Sequence, residues 1–222
     1  MNSAPAPVVI LISGRGSNLQ AIVEASRTGR LPIAIRAVIS NNPTAPGLEI
    51  ARAAGLVTQA VDHRAFTDRA AFDRALMEAI DRHAPRLVVL AGFLRILGKP
   101  FIDHYTGRLM NIHPSLLPAF KGLDTHARAL AAGVKRHGAS VHFVGNDVDG
   151  GPVIIQAEVP VVPGDDAETL AARVLAEEHR ILPLAIRWFV ENRLSVRDGR
   201  VLLDGQVRPE QHLVAAPPTG TH

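Results

Sequence analysis

An α/β fold, with a mostly parallel central sheet and helices on both faces, is what this sequence predicts. Three observations predict it. Short runs rich in Val and Ile alternate along the chain with longer stretches of helical periodicity. The runs are continuously apolar rather than alternating, as strands buried on both faces are. Strands separated by helix-length segments imply crossovers, and crossovers join parallel neighbours.

The elements follow in order. Strands are expected at residues 8–12, 33–40, 87–91, 109–113, 139–144 and 153–159, and helices at 18–28, 47–54, 68–84, 123–132 and 167–192. In the third helix Phe72, Leu76, Ala79 and Ile80 fall on one face, and in the last Leu170, Val174, Ile181, Ala185 and Trp188 form a stripe. Pro183 is expected to kink or divide that last helix. Residues 194–196 and 201–203 flank Asp198-Gly199, a pair that accepts the positive φ of a type I′ turn and so predicts a C-terminal hairpin. Residues 1–7 are small and Pro-rich and read as a flexible N-terminus; 8–205 read as a single domain; 206–222, polar and Pro-containing, read as a disordered tail. The chain shows no internal repeat.

Composition narrows the classes of function. A chain of 222 residues with 47% hydrophobic content supports one domain with a sizeable core. No apolar run approaches the ~20 residues that span a bilayer, and the first residues carry no secretory pattern. A cytoplasmic location without a membrane partner is therefore expected. The absence of cysteine excludes disulfides and thiolate chemistry. Net charge is only +3, the lysines are Lys99, Lys121 and Lys135, and the cations form no block. That argues against a nucleic-acid partner and is compatible with anionic small substrates.

The first strand runs into Ser13-Gly14-Arg15-Gly16-Ser17-Asn18 and then a helix. Glycines let the backbone turn tightly, and the helix start offers free N–H groups to a phosphate. A dinucleotide fingerprint fails here: its third glycine would fall at Leu19, and the second strand ends in Ser40-Asn41-Asn42-Pro43 without an acidic residue. No Gly-Lys-Ser/Thr follows, so a mononucleotide-sized phosphate fits best.

Asn111 and His113 lie two apart at the end of an apolar strand and so share a face, with Pro114 ending the strand. In parallel sheets ligands bind beyond the carboxyl ends of strands. A later loop, Gly145-Asn146-Asp147-Val148-Asp149-Gly150-Gly151-Pro152, is acidic but lacks calcium-loop spacing, and no metal is expected. Asn111 and His113 suit acyl-type transfer to an amine, where a tetrahedral oxyanion needs donors and a carboxylate orients the imidazole. Spacing does not choose between Asp147 and Asp149 for that carboxylate. No Gly-x-Ser-x-Gly elbow is present, so direct attack by the amine is preferred over an acyl-enzyme.

Residues 12–19, 91–97, 111–118 and 140–143, together with Asp149-Gly150-Gly151-Pro152, resemble the phosphoribosylglycinamide formyltransferases, folate-dependent enzymes of purine synthesis, over about residues 8–205. The resemblance implies a Rossmann-like formyltransferase fold. It implies 10-formyltetrahydrofolate as co-substrate, glycinamide ribonucleotide as acceptor, and a monomer or homodimer. Asn111, His113 and Asp149 match the catalytic trio. Gly16, Ser17 and Asn18 match the phosphate loop, and Leu175, Ala176, Glu177 and Glu178 the rest of the ribonucleotide site. Leu94, Arg95, Ile96 and Leu97 match the segment whose backbone binds the pterin. Gly145, Asn146, Asp147, Val148 and Asp149 match the loop closing over it, with Asn111 beside it, and Arg69 matches a cation on the folate side. Two departures stand out: Asp124 replaces a residue often His in relatives, and Ala119-Phe120-Lys121-Gly122 resembles the formyltetrahydrofolate hydrolases. A hydrolase would be expected to carry an extra domain before the first strand, and a methionyl-tRNA formyltransferase one after the last; neither has room in this sequence. A non-catalytic folate- or nucleotide-binding module is the alternative from a different class.

Overall fold

Continuous apolar runs become the centre of the sheet. In a computed structural model, which describes residues 4–215, the chain runs β1 (Ala6–Ile12), α1 (Ser17–Arg27), β2 (Ile33–Ser40), α2 (Gly47–Ala53), β3 (Thr58–Ala60), α3 (Arg69–Asp81), β4 (Leu87–Leu90), α4 (Lys99–His104), β5 (Leu109–His113), α5 (Thr125–Ala131), β6 (Arg136–Phe143), β7 (Val153–Pro160), α6 (Ala167–Val190), β8 (Leu194–Arg197), β9 (Arg200–Leu203) and β10 (His212–Val214). Eight strands form one sheet in the order β10-β7-β6-β5-β4-β1-β2-β3. The β5–β6 and β6–β7 pairs are antiparallel; the other neighbours are parallel.

Strand alternation divides the core in two. Val8, Ile10 and Ile12 of β1 pack toward α1, α2 and α6, whereas Val9 and Leu11 pack toward α3 and α4. The expected apolar faces of α3 and α6 are buried as read: Phe72, Leu76, Ala79 and Ile80 on one, Leu170, Val174, Ile181, Ala185 and Trp188 on the other. The chain leaves β1 toward β2 and later returns to β4 on the other side of β1. The carboxyl ends of β1 and β4 therefore flank the point where strand order reverses, the usual place for a ligand crevice.

Three expectations are corrected. Of the two outcomes expected at Pro183, division of the last helix does not occur: the helix runs unbroken through it. Its neighbours Ile181, Leu182, Ala185 and Ile186 are fully buried, and their packing outweighs the lost backbone hydrogen bond, a cost of about 3 kcal/mol. The first strand begins at Ala6 rather than residue 8, so part of the expected flexible N-terminus pairs with β2, while residues 1–3 lie outside the described residues. The expected disordered tail is structured over part of its length. Pro209–Gln211 form a 3-10 turn and β10 pairs with β7, with Gln211 donating to the carbonyls of Ile154 and Val201. Residues 216–222 of that stretch lie outside the described residues.

The hairpin is as expected, with β8 and β9 joined at Asp198 (φ 51°) and Gly199 (φ 72°). No helix among the described residues is long and apolar enough to cross a membrane.

Because Ile10 is fully buried in the central strand, Ile10→Ala is expected to cost about 2–5 kcal/mol. Urea unfolding at neutral pH measures it, and a loss well under 1 kcal/mol would contradict this account of the core.

Candidate active site

One row of paired residues crosses the sheet: Leu11 pairs with Leu90, Leu90 with Asn111 and Asn111 with His142. Beyond this row β1 and β4 run into loops, while β5 continues beside β6 as far as His113, paired with Ser140.

Asn111 and His113 share the β5 face, while Met110 and Ile112 pack into the core opposite. His113 is buried, at 5% exposure, so each ring nitrogen needs a partner. Its Nε2 lies 3.0 Å from the Phe120 carbonyl oxygen, and its Nδ1 lies 3.4 Å from Asp149 Oδ2. The ring is thereby bracketed by two oxygen acceptors. The Gly122 N–H donates to the same Asp149 oxygen at 2.9 Å.

The choice between the two loop carboxylates is made by backbone conformation. Asp149 takes a left-handed φ of 48°, which turns its side chain inward, whereas Asp147 stays exposed. The loop folds tightly because Gly151 lies against β6; a Cβ there would sit 1.8 Å from the Phe143 carbonyl oxygen.

His142 was not among the expected site residues. It is buried across from Asn111, 3.7 Å from the other Asp149 oxygen. Burial pushes its pKa down. Its Nδ1–H donates to the Phe143 carbonyl at 2.9 Å, which leaves the Nε2 lone pair to accept from Asn111 Nδ2 at 3.1 Å. A neutral His142 thus orients the Asn111 amide as a donor, with a second N–H to spare. Only the antiparallel pairing of β5 with β6 reveals this. Phe120 and Gly122 were missed as well, because they act through backbone groups.

The phosphate loop sits at the end of β1. Gly16 is left-handed (φ 79°), and a Cβ on it would lie 2.6 Å from Gly47 Cα, so the α1 and α2 termini meet only over glycine. Neither Ser17 nor Asn18 caps α1 with its side chain. The Asn18 Nδ2 donates instead to Glu178 Oε2 at 2.6 Å, joining residues 160 apart. Burial pushes the Glu178 carboxyl up, against the Asn18 bond that lowers it. Glu177 is turned to Arg180 at 2.8 Å, Leu175 is half-buried and Ala176 is exposed.

Segment 94–97 follows β4. Leu94, Arg95 and Ile96 are exposed and Leu97 is buried. Its first N–H, from Leu94, donates to Ser13 Oγ at 2.8 Å, and Ser13 N–H donates to the Gly92 carbonyl at 3.1 Å. The two loops are thereby tied together at the strand-order reversal. Arg69 is exposed at the start of α3, while Gly145, Asn146 and Val148 lie in the loop that carries Asp149. Asp124 is exposed and left-handed (φ 55°) ahead of α5.

A family model described as formyl transferase matches residues 6–186. The phosphoribosylglycinamide formyltransferase of Escherichia coli strain K12 is 52% identical to this chain over 208 residues, 94% of this chain and 98% of that protein. The protein of the same name from Haemophilus influenzae is 41% identical, covering 91% and 96%. The solved structure of the phosphoribosylglycinamide formyltransferase from Coxiella burnetii in complex with CHES matches with a TM-score of 0.89 at 50% identity, covering 95% of this chain and 99% of that one.

Behind the site, His137 lies edge-on to His126, with 5.2 Å between ring centroids. Burial first, and then the neighbouring His126 and His113, hold His137 at about 4. The folded chain therefore keeps this ring neutral where the unfolded chain, with a value near 6.5, takes up a proton. Its contribution to stability is complete above pH 6.5 and is lost as pH falls toward 4, by up to about 3 kcal/mol. His137→Phe is expected to flatten the fall in unfolding free energy between pH 7 and 4.5, measured by urea titration at each pH. An unchanged slope would show that the ring is not held neutral.

Proposed function

The chain belongs to the formyl transferase family, and from that premise we infer that it transfers the formyl group of 10-formyltetrahydrofolate to the amine of glycinamide ribonucleotide, in purine biosynthesis. The observation that carries this reading is the convergence of Asn111, His113 and Asp149 at the end of β5, with His113 held between a carboxylate and a carbonyl.

The ribonucleotide phosphate binds the free N–H groups of Gly16, Ser17 and Asn18 at the start of α1. Glu178, positioned by Asn18, accepts from the ribose. The pterin pairs with the backbone of residues 94–97 under the loop of residues 145–149, and Arg69 faces the folate side. Both substrates occupy the crevice together, so much of the rate comes from proximity.

The substrate amine attacks the formyl carbon, and the carbonyl π pair moves onto oxygen. The free N–H of Asn111 donates to this oxyanion, and the charge of His113 stabilises it. Asp149 orients the His113 ring through its Nδ1. The attacking amine then loses its proton, the folate nitrogen gains one through water, and collapse of the intermediate breaks the formyl–folate bond. The protein acts in the cytoplasm as a monomer or homodimer, with no nucleic-acid or membrane partner.

Purified protein with 10-formyltetrahydrofolate is expected to lose the formyl group only when glycinamide ribonucleotide is present, with stoichiometric formylated product. Equal loss without the ribonucleotide would make it a hydrolase, and no loss would make it a binding module. His113→Ala is expected to lower kcat by roughly 10²–10⁴ with an unchanged circular dichroism spectrum. A near-normal kcat would remove His113 from the mechanism.

A further inference from the structure

Asp73 is a carboxylate in an apolar place. It lies on α3 beside Phe72 and Leu76 and is only 5% exposed. Burying an acid there is costly unless it is hydrogen-bonded. One of its oxygens, Oδ2, accepts the Gly98 N–H at 2.7 Å, while Oδ1 has no hydrogen-bond partner among the described residues. Burial pushes its pKa up, and the Gly98 N–H, Arg69 and Arg95 oppose that shift.

Gly98 marks the end of the segment that follows β4. Its backbone, φ −79° and ψ 162°, is open to any residue. A Cβ, however, would lie 2.9 Å from Asp73 Oδ2. A side chain at this position would push the Asp73 carboxylate away from the Gly98 N–H. The Gly98 carbonyl accepts the N–H groups of Phe101 and Ile102 at 3.1 Å, so the same residue starts α4.

Segment 94–97 is thus hydrogen-bonded at both ends, by Ser13 at Leu94 and by Asp73 at Gly98. Between these points Leu94, Arg95 and Ile96 have their side chains in solvent and only Leu97 packs into the core, so the backbone of residues 94–96 is held chiefly from its two ends. We propose that Asp73 is a positioning residue for this segment, holding the backbone that binds the pterin through the Gly98 N–H. The proposal rests on the reading of residues 94–97 as the folate-binding segment. It predicts an effect on folate affinity separate from chemistry.

The test is steady-state kinetics with each substrate varied in turn, alongside thermal unfolding. Asp73→Ala is expected to raise KM for 10-formyltetrahydrofolate about tenfold, with kcat and the ribonucleotide KM within about twofold of wild type. Asp73→Asn keeps an acceptor for Gly98 and is expected to restore most of the folate affinity. Gly98→Ala attacks the same bond without altering α3, so it reports even if Asp73→Ala folds poorly. Its folate KM is expected to rise similarly, and the double variant to be no worse than either single one, as for two changes breaking one interaction. Unchanged folate KM in Asp73→Ala and Gly98→Ala, or a parallel rise in both substrate KM values, would overturn the proposal. A wild-type chain that does not transfer formyl groups overturns the functional reading and the proposal with it. Active wild type with unmoved variants overturns the proposal alone.

Discussion

The site depends on one constraint: β1, β4 and β5 are parallel and in register, so their carboxyl ends open on the same side of the sheet. In a parallel sheet buried on both faces the middles of the strands are apolar. Chemistry is therefore displaced to the ends of the strands, where backbone N–H groups and polar side chains can be satisfied by loops. Three such ends meet here. One leads into the phosphate loop, one into segment 94–97, and one ends in Asn111 and His113 themselves. The Ser13 hydroxyl, which accepts from Leu94 N–H and donates to Asn41 Oδ1 at 2.5 Å, links the first two.

Antiparallel β6 adds what the parallel strands cannot. It places His142 across from Asn111 and delivers, through the tight turn after Phe143, the carboxylate of Asp149. The resulting cluster has few formal charges and many directed hydrogen bonds. Burial keeps His142 neutral, which orients the Asn111 amide, while Asp149 and the Phe120 carbonyl bracket His113. Two non-glycine residues, Phe120 (φ 51°) and Asp149 (φ 48°), take left-handed conformations, usually glycine's territory, beside this cluster. Such conformations cost of order 1 kcal/mol each and persist where surrounding structure holds them. Here the partners are visible: the His113 ring on the Phe120 carbonyl and the Gly122 N–H on Asp149.

Much of this was legible before the chain was folded. The central strands, the two long amphipathic helices and the hairpin at Asp198-Gly199 follow from apolar periodicity and turn chemistry. The shared face of Asn111 and His113 follows from strand alternation, and the phosphate loop from glycines between a strand and a helix. The misses have physical reasons. β3 and β10 are three residues long, too short for periodicity, and β10 draws its stability from β7 and Gln211 rather than from its own composition. Pro183 obeyed the packing of its neighbours over its own helix propensity. Asp73 reads in sequence as an ordinary acid on a helix and becomes unusual only once its burial and its bond to Gly98 are seen.

The sequence by itself determined the class of fold, the strand ends where a site could form, and, through its motifs, the family and the reaction to expect. These are local properties, set by side-chain periodicity and by what each residue type allows its own backbone. Tertiary structure alone decided that His142 stands behind Asn111, that Asn18 reaches Glu178, and that Gly98 rests on Asp73, and it supplied the physical reason, a left-handed turn, why Asp149 rather than Asp147 meets His113. Each of these joins residues brought together by strand pairing or by a loop's left-handed turn, and no periodicity within a single segment encodes the distance between two segments.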